Sequence, residues 1–256
     1  MNTVIAITGA SAGIGRATAL CLAKRGASVA ICARRQARLD AVAAEIVAAG
    51  GKALAVTADV TQPADMEAFV RATVERFGTL DVMLCNAGHG VYGEVDRVDP
   101  AQMREMMDVN FHGTFLAAQS ALRVFRARGR GHIIMISSIV GRRGIPFMGP
   151  YSATKFAQVG LAECMRAELL GTGIHVSVVY PISTETEFHG VMMQRSGFAT
   201  RAKGPRQSPD VVAARALCQG REPAAAAAPV SLRKLRRSMA SPWGGCQAGK
   251  RSAPET

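Results

Sequence analysis

The chain has 256 residues, 48% of them hydrophobic, enough for one large α/β domain or two small ones with a buried core. Its formal charge of +12 suggests a polyanion binder until it is divided by position: residues 1–194 carry 19 Lys/Arg against 16 Asp/Glu, whereas residues 195–256 carry 12 against 3. A near-neutral body argues against a nucleic-acid-wrapping fold, and six singly scattered cysteines argue against a zinc module or a disulfide-stapled secreted domain. With no basic leader ahead of an apolar run, and no stretch near the roughly 18 apolar residues of a membrane span, a cytoplasmic protein without stable membrane insertion is expected. No metal site is expected either.

The first β-rich apolar run, residues 4–7, passes through Thr8-Gly9-Ala10-Ser11-Ala12-Gly13-Ile14-Gly15 straight into a helical stretch over 14–25. Glycines let the backbone turn tightly and approach a ligand without a Cβ in the way, and the unpaired N–H groups of a helix start face an anion. The loop therefore reads as a pyrophosphate cradle. A second run, 28–32, ends at Arg34 and Arg35, about twenty residues beyond the loop, where NAD-type sites place an acid against the ribose hydroxyls. A carboxylate there would repel a 2′-phosphate, while guanidinium attracts it through forked, charged hydrogen bonds. NADP(H) is thus predicted over NAD(H), with Arg34 the first contact and Arg35 the second. The other reading, two arginines solvating the start of the helix over 35–49, stays open.

Apolar runs at 53–57, 82–85, 132–136 and 175–179 supply four more strands. Helical periods at 64–77, 101–126 and 151–170 lie between them, with a break expected inside 101–126. Asp99-Pro100 and Ser208-Pro209 each set a capping side chain before a first-turn proline. Strands that are apolar on both faces and separated by helices cannot pair as hairpins, so a parallel sheet covered on both sides follows. The fold expected over residues 1–218 is a doubly wound, mostly parallel α/β domain of Rossmann type. In such sheets ligands gather beyond the C-terminal strand ends. From about residue 219 the pattern decays into alanines bracketed by Pro223 and Pro229 and a basic cluster, Arg233 to Arg237. This tail, 219–256, is expected to be disordered. No last edge strand is expected after the helix that begins near Pro209.

Tyr151 and Lys155 are four residues apart and share one helix face. A phenol ionises near ~10 when unperturbed, so acid–base work at neutral pH calls for a neighbouring cation, which Lys155 can supply. Taken alone, the pair reads as a half-buried ring beside a snorkelling amine.

Together, these residues resemble the short-chain dehydrogenases/reductases over residues 3–218. Thr8, Gly9, Gly13 and Gly15 match the glycine motif, within a loop that also offers Ser11, Ala12 and Ile14 to the cofactor. Asp59-Val60 resembles the pair that holds an adenine ring, and Asn86-Ala87-Gly88 resembles the motif closing the fourth strand. Asn110, Ser138, Tyr151 and Lys155 fall where the family keeps a catalytic tetrad; Pro181 and Thr186 match a nicotinamide-contacting loop. The resemblance implies that Tyr151 is the general acid or base and that Ser138 hydrogen-bonds the substrate oxygen. It implies further that Lys155 lowers the Tyr pKa and binds the nicotinamide ribose, while Asn110 holds a water linking Lys155 to solvent. It implies a small-molecule carbonyl or alcohol substrate and a homodimer or homotetramer. Ile182 stands where the family commonly has glycine, and a positive φ there would strain the loop.

Mostly apolar residues at positions 89–93, Val140, Gly141, Phe147, Met148, Gly149 and positions 188–193, the last expected to be flexible, suit a hydrophobic substrate. Two rival readings remain: a non-catalytic NADP(H)-sensing protein on the same fold, and a basic nucleic-acid or anionic-membrane binder acting through Arg233 to Arg237.

Overall fold

The fold is that of a computed structural model, which describes residues 3–196 and 206–219, the last five by backbone alone. Six strands, β1 (Val4–Thr8), β2 (Ser28–Ala33), β3 (Lys52–Thr57), β4 (Val82–Cys85), β5 (Gly131–Ile136) and β6 (Ile174–Val179), form one parallel sheet in the order β3-β2-β1-β4-β5-β6. The helices are α1 (Gly13–Ala23), α2 (Gln36–Ala48), α3 (Pro63–Phe77), α4 (Pro100–Met106), α5 (Gly113–Arg128), α6 (Gly149–Glu168), α7 (Glu187–Ser196) and α8 (Pro209–Gln219). The doubly wound α/β architecture expected from the sequence is the one observed.

Strand periodicity sorts side chains between two cores. Ala6, Met83, Cys85, Ile133 and Met135 point to one face, where Phe69 of α3, Phe125 of α5 and Met165 of α6 cover them. Their neighbours Ile5, Ile7, Leu84, Ile134 and Ile136 point to the other, against Leu22 of α1, Ile46 of α2 and Val212 of α8. Both faces are apolar, which explains why the strand runs lack polar alternation. The Asp99 carboxylate accepts from the Ala101 N–H at 2.8 Å, and the Ser208 hydroxyl accepts from the Asp210 N–H at 3.1 Å, so both expected caps form.

Two expectations change. The break expected inside 101–126 is no break: the helix continues through a widened turn at Met107–His112, hydrogen-bonded in π fashion, between α4 and α5. Residues 188–193 lie within α7 rather than in a loop. Among the described residues the sheet ends at β6; of the stretch expected to be disordered, Gln219 closes α8 and residues 220–256 lie outside the described residues. No described helix is long and apolar enough to cross a membrane.

Strand order reverses between β1 and β4, so the crossovers leave on opposite sides and a crevice opens above their C-terminal ends.

Candidate active site

At this crevice the Thr8 hydroxyl accepts from the backbone N–H of Asn86, at 3.0 Å, and of Ala87, at 3.1 Å. The Asn86 amide donates in turn to the carbonyls of Thr8 and Gly9, each at 3.0 Å, stitching the glycine loop to the end of β4. Gly9 and Gly13 adopt left-handed φ values of 66° and 54°. A Cβ at Gly9 would fall 2.7 Å from the Ala87 Cα, and one at Gly13 would press on the Thr186 side chain at 3.2 Å. No side chain caps the start of α1, so its first N–H groups face the cavity beside Ser11, Ala12 and Ile14.

That cavity, about 890 Å³, runs from the glycine loop to the start of α6. Of the residues singled out in the sequence, Gly9, Ser11, Ala12, Gly13, Ile14, Arg34, Arg35, Val60, Asn86, Ala87, Gly88, Ser138, Tyr151, Lys155, Pro181 and Thr186 line it. Thr8, Gly15, Asp59 and Asn110 do not line it and act behind its wall. Gly15 packs where a Cβ would meet the Asn86 amide at 2.6 Å. The Asp59 carboxylate accepts from the Thr61 N–H at 3.0 Å, ordering the turn before α3. The Asn110 side chain accepts from the His89 N–H at 2.9 Å and donates to the His89 carbonyl at 2.8 Å, holding the loop after β4.

Ser138 follows β5, and its hydroxyl accepts from the Val140 N–H at 3.4 Å. The Lys155 amine lies 5.7 Å from the Tyr151 ring centre and donates to the Ile136 carbonyl at 2.9 Å. Burial dominates both titrations: it pushes the Tyr151 phenol well above its ordinary value, partly offset by a hydrogen bond with Ser138, and pulls the Lys155 amine down to about 7. Tyr151 is therefore a neutral phenol at physiological pH, fit to give a proton, and Lys155 is poised to change charge close to neutrality.

The Asn110 backbone carbonyl is engaged by two side chains. It accepts from the Thr114 hydroxyl at 2.7 Å and from the Gln158 amide at 2.6 Å, which occupies both of its lone pairs. The first of these bonds is local, from one turn further along the same helix, and the second comes from α6.

Ile182 is not strained. Phe147 is the single described non-glycine residue with positive φ, at 66°, and it too lines the cavity. Arg142 stacks its guanidinium 4.0 Å from the Tyr180 ring centre.

Glu187 lines the cavity and escaped the sequence reading, as did the pairings made by its neighbours. The Glu187 carboxylate accepts from Arg35 at 2.8 Å and from Arg38 at 2.7 Å, which depresses its pKa, and Arg35 also donates to the Ser11 hydroxyl at 3.0 Å. Tyr92 and His189, which also line the cavity, pair at 3.0 Å. These contacts join residues 24 to 152 positions apart, beyond the reach of any local pattern.

The family described as short chain dehydrogenase matches residues 3–196. The chain belongs to the short-chain dehydrogenases. It is an oxidoreductase, and NAD(P)(H) is the cofactor typical of its family. This short-chain dehydrogenase is 37% identical over 214 residues to 2-(S)-hydroxypropyl-CoM dehydrogenase 3 of Xanthobacter autotrophicus, covering 84% of this chain and 80% of the relative. Among solved structures, it resembles an alcohol dehydrogenase from the archaeon Thermococcus sibiricus complexed with 5-hydroxy-NADP, with a TM-score of 0.77 and 30% identity over 87% of this chain and 92% of the other. It also resembles the 3-ketoacyl-(acyl-carrier-protein) reductase of Brucella melitensis complexed with NADH, with a TM-score of 0.76 and 31% identity over 84% and 89% of the two chains.

Proposed function

We propose that this short-chain dehydrogenase transfers a hydride between NADP(H) and the carbonyl or secondary alcohol carbon of a largely apolar small molecule, with Tyr151 as the acid–base group. The observation that carries the reading is the convergence of Ser138, Tyr151 and Lys155 in the cavity that also holds the glycine loop and the uncapped start of α1. The residues present fit a dinucleotide: bare N–H groups for a diphosphate at one end, and a free guanidinium for a 2′-phosphate beside it. Among the described residues Arg34 has no ion-pair or hydrogen-bond partner, whereas Arg35 is engaged by Ser11 and Glu187. Arg34 thus takes the phosphate directly, and Arg35 joins only by exchange with a carboxylate.

When bound, the nicotinamide supplies or accepts the hydride. In carbonyl reduction the developing alkoxide accepts hydrogen bonds from the Ser138 hydroxyl and the Tyr151 phenol, and Tyr151 gives its proton to that oxygen. The Lys155 ammonium, held on the same helix face, stabilises the phenolate left behind. In alcohol oxidation the phenolate takes the hydroxyl proton and the sequence reverses. Val140, Phe147, Met148, Phe188 and Val191 give the substrate end its apolar wall, and the Phe188 ring sits 5.6 Å from that of Tyr151.

The reading is tested by following NADPH oxidation against a panel of apolar aldehydes and ketones. Turnover by the wild type, reduced by about 10²- to 10⁴-fold in Tyr151→Phe at unchanged NADPH affinity, is expected. Cofactor binding without turnover by the wild type, or equal turnover by the variant, would support the sensing protein instead.

A further inference from the structure

The buried stripe of α6 carries a polar side chain that this chemistry does not use. Gln158 lies one turn beyond Lys155, is fully buried, and is engaged at both ends of its amide. Its Oε1 accepts from the Lys155 amine at 3.2 Å, while its Nε2 donates to the Asn110 carbonyl at 2.6 Å and to the Thr114 hydroxyl at 2.8 Å. The amide has one consistent orientation, because a flip would set its oxygen against the Asn110 carbonyl and its NH₂ against an amine. Lys155 spends a second N–H on the Ile136 carbonyl. That leaves the third for the cleft.

A water between Lys155 and the Asn110 carbonyl could take a proton from the amine as it passed another onward. A carboxamide in that place accepts through oxygen and donates through nitrogen, and passes no proton without becoming an imidic acid. We infer that Gln158 is a positioning residue that bridges Lys155 to the Asn110 carbonyl, holding the amine in place and closing its inner side, so that protons reach the Tyr151–Lys155 pair only from the cleft. The inference rests on the hydride-transfer reading for its consequence, though not for its geometry. Tyr151, on the same helix, is the titratable side chain in contact with this amine, and no charged neighbour adds to the effect of burial on it.

The test follows the Lys155 ¹³Cε resonance of the NADP⁺-bound protein through a pH titration, in wild type, Gln158→Leu and Gln158→Glu. Removing the amide oxygen should lower the Lys155 midpoint by about one pH unit, and a carboxylate should raise it by about as much. The high-pH limb of kcat for carbonyl reduction should move the same way, with KM for NADPH changed less than about twofold. Midpoints that stay within about 0.2 unit in both variants, or that shift in one direction, would overturn the inference. A fall in melting temperature with an unmoved titration would make Gln158 a packing residue only. Because the titration needs no substrate, absence of turnover would defeat the hydride-transfer reading while leaving this result interpretable.

Discussion

Tyr151 and Lys155 are each held in the state their burial prefers, the phenol neutral and the amine close to losing its charge. The ammonium is lost as pH rises through about 7, so the rate of carbonyl reduction should fall across that range, a limb visible in kcat measured from pH 6 to 9. At the other end of the cavity a single side chain is asked to read the cofactor. Arg34→Asp should cut the preference for NADP(H) over NAD(H) by about tenfold or more, since one charge-assisted contact is replaced by repulsion. Paired Kd values for the two cofactors check it, and an unchanged ratio would remove Arg34 from the phosphate site. The residue types at these positions were legible in the sequence because helix spacing and the strand-to-helix loop are local. Gln158 gives no local signal in the sequence, because its partners Asn110 and Thr114 lie on another helical segment.

Among the elements, all six strands fall within a residue or so of their sequence-predicted limits, since unbroken apolar runs flanked by helices admit few alternatives. The π turn was not legible. Asn110 reads as a helix breaker by propensity, and of the two side chains that bond its carbonyl only Thr114 is local, while Gln158 comes from α6. α7 was missed because its apolar residues show only a weak stripe, with Met192 alone fully buried.

The glycine loop stands on a backbone requirement, so Gly9→Ala, which combines a strained φ with a Cβ 2.7 Å from the Ala87 Cα, should destabilise the fold by about 1–3 kcal/mol and abolish dinucleotide binding. Urea unfolding and cofactor fluorescence would show it. Between β5 and β6, His132 pairs with Ser177 at 2.9 Å, and burial, aided by His175, lowers its pKa to about 4. The unfolded chain, titrating near 6.5, then binds the proton first, so stability is retained above about 6.5 and lost progressively as pH falls to about 4. The loss amounts to about 3 kcal/mol, and His132→Asn should flatten the dependence in urea denaturation between pH 7 and 4.

For the whole molecule, the sheet order places most of the candidate groups at one crevice, although those groups arise from the segments after all six strands and from α6. Sequence alone located that crevice through the doubly wound pattern, but the cross-cavity pairings, Arg35 and Arg38 with Glu187 and Tyr92 with His189, depend on how the completed fold brings distant segments together. The charge imbalance belongs to the other end of the chain, where residues 195–256 hold 12 basic groups against 3 acidic ones. Deleting residues 220–256 should abolish salt-dependent retention on heparin and leave NADPH affinity unchanged. The most direct measurement of the central claim is the fate of the hydride itself. With NADPH deuterated at the transferring C4 position and an accepted ketone, mass spectrometry should find one deuterium on the carbinol carbon of the alcohol formed; alcohol that carries none would contradict the account.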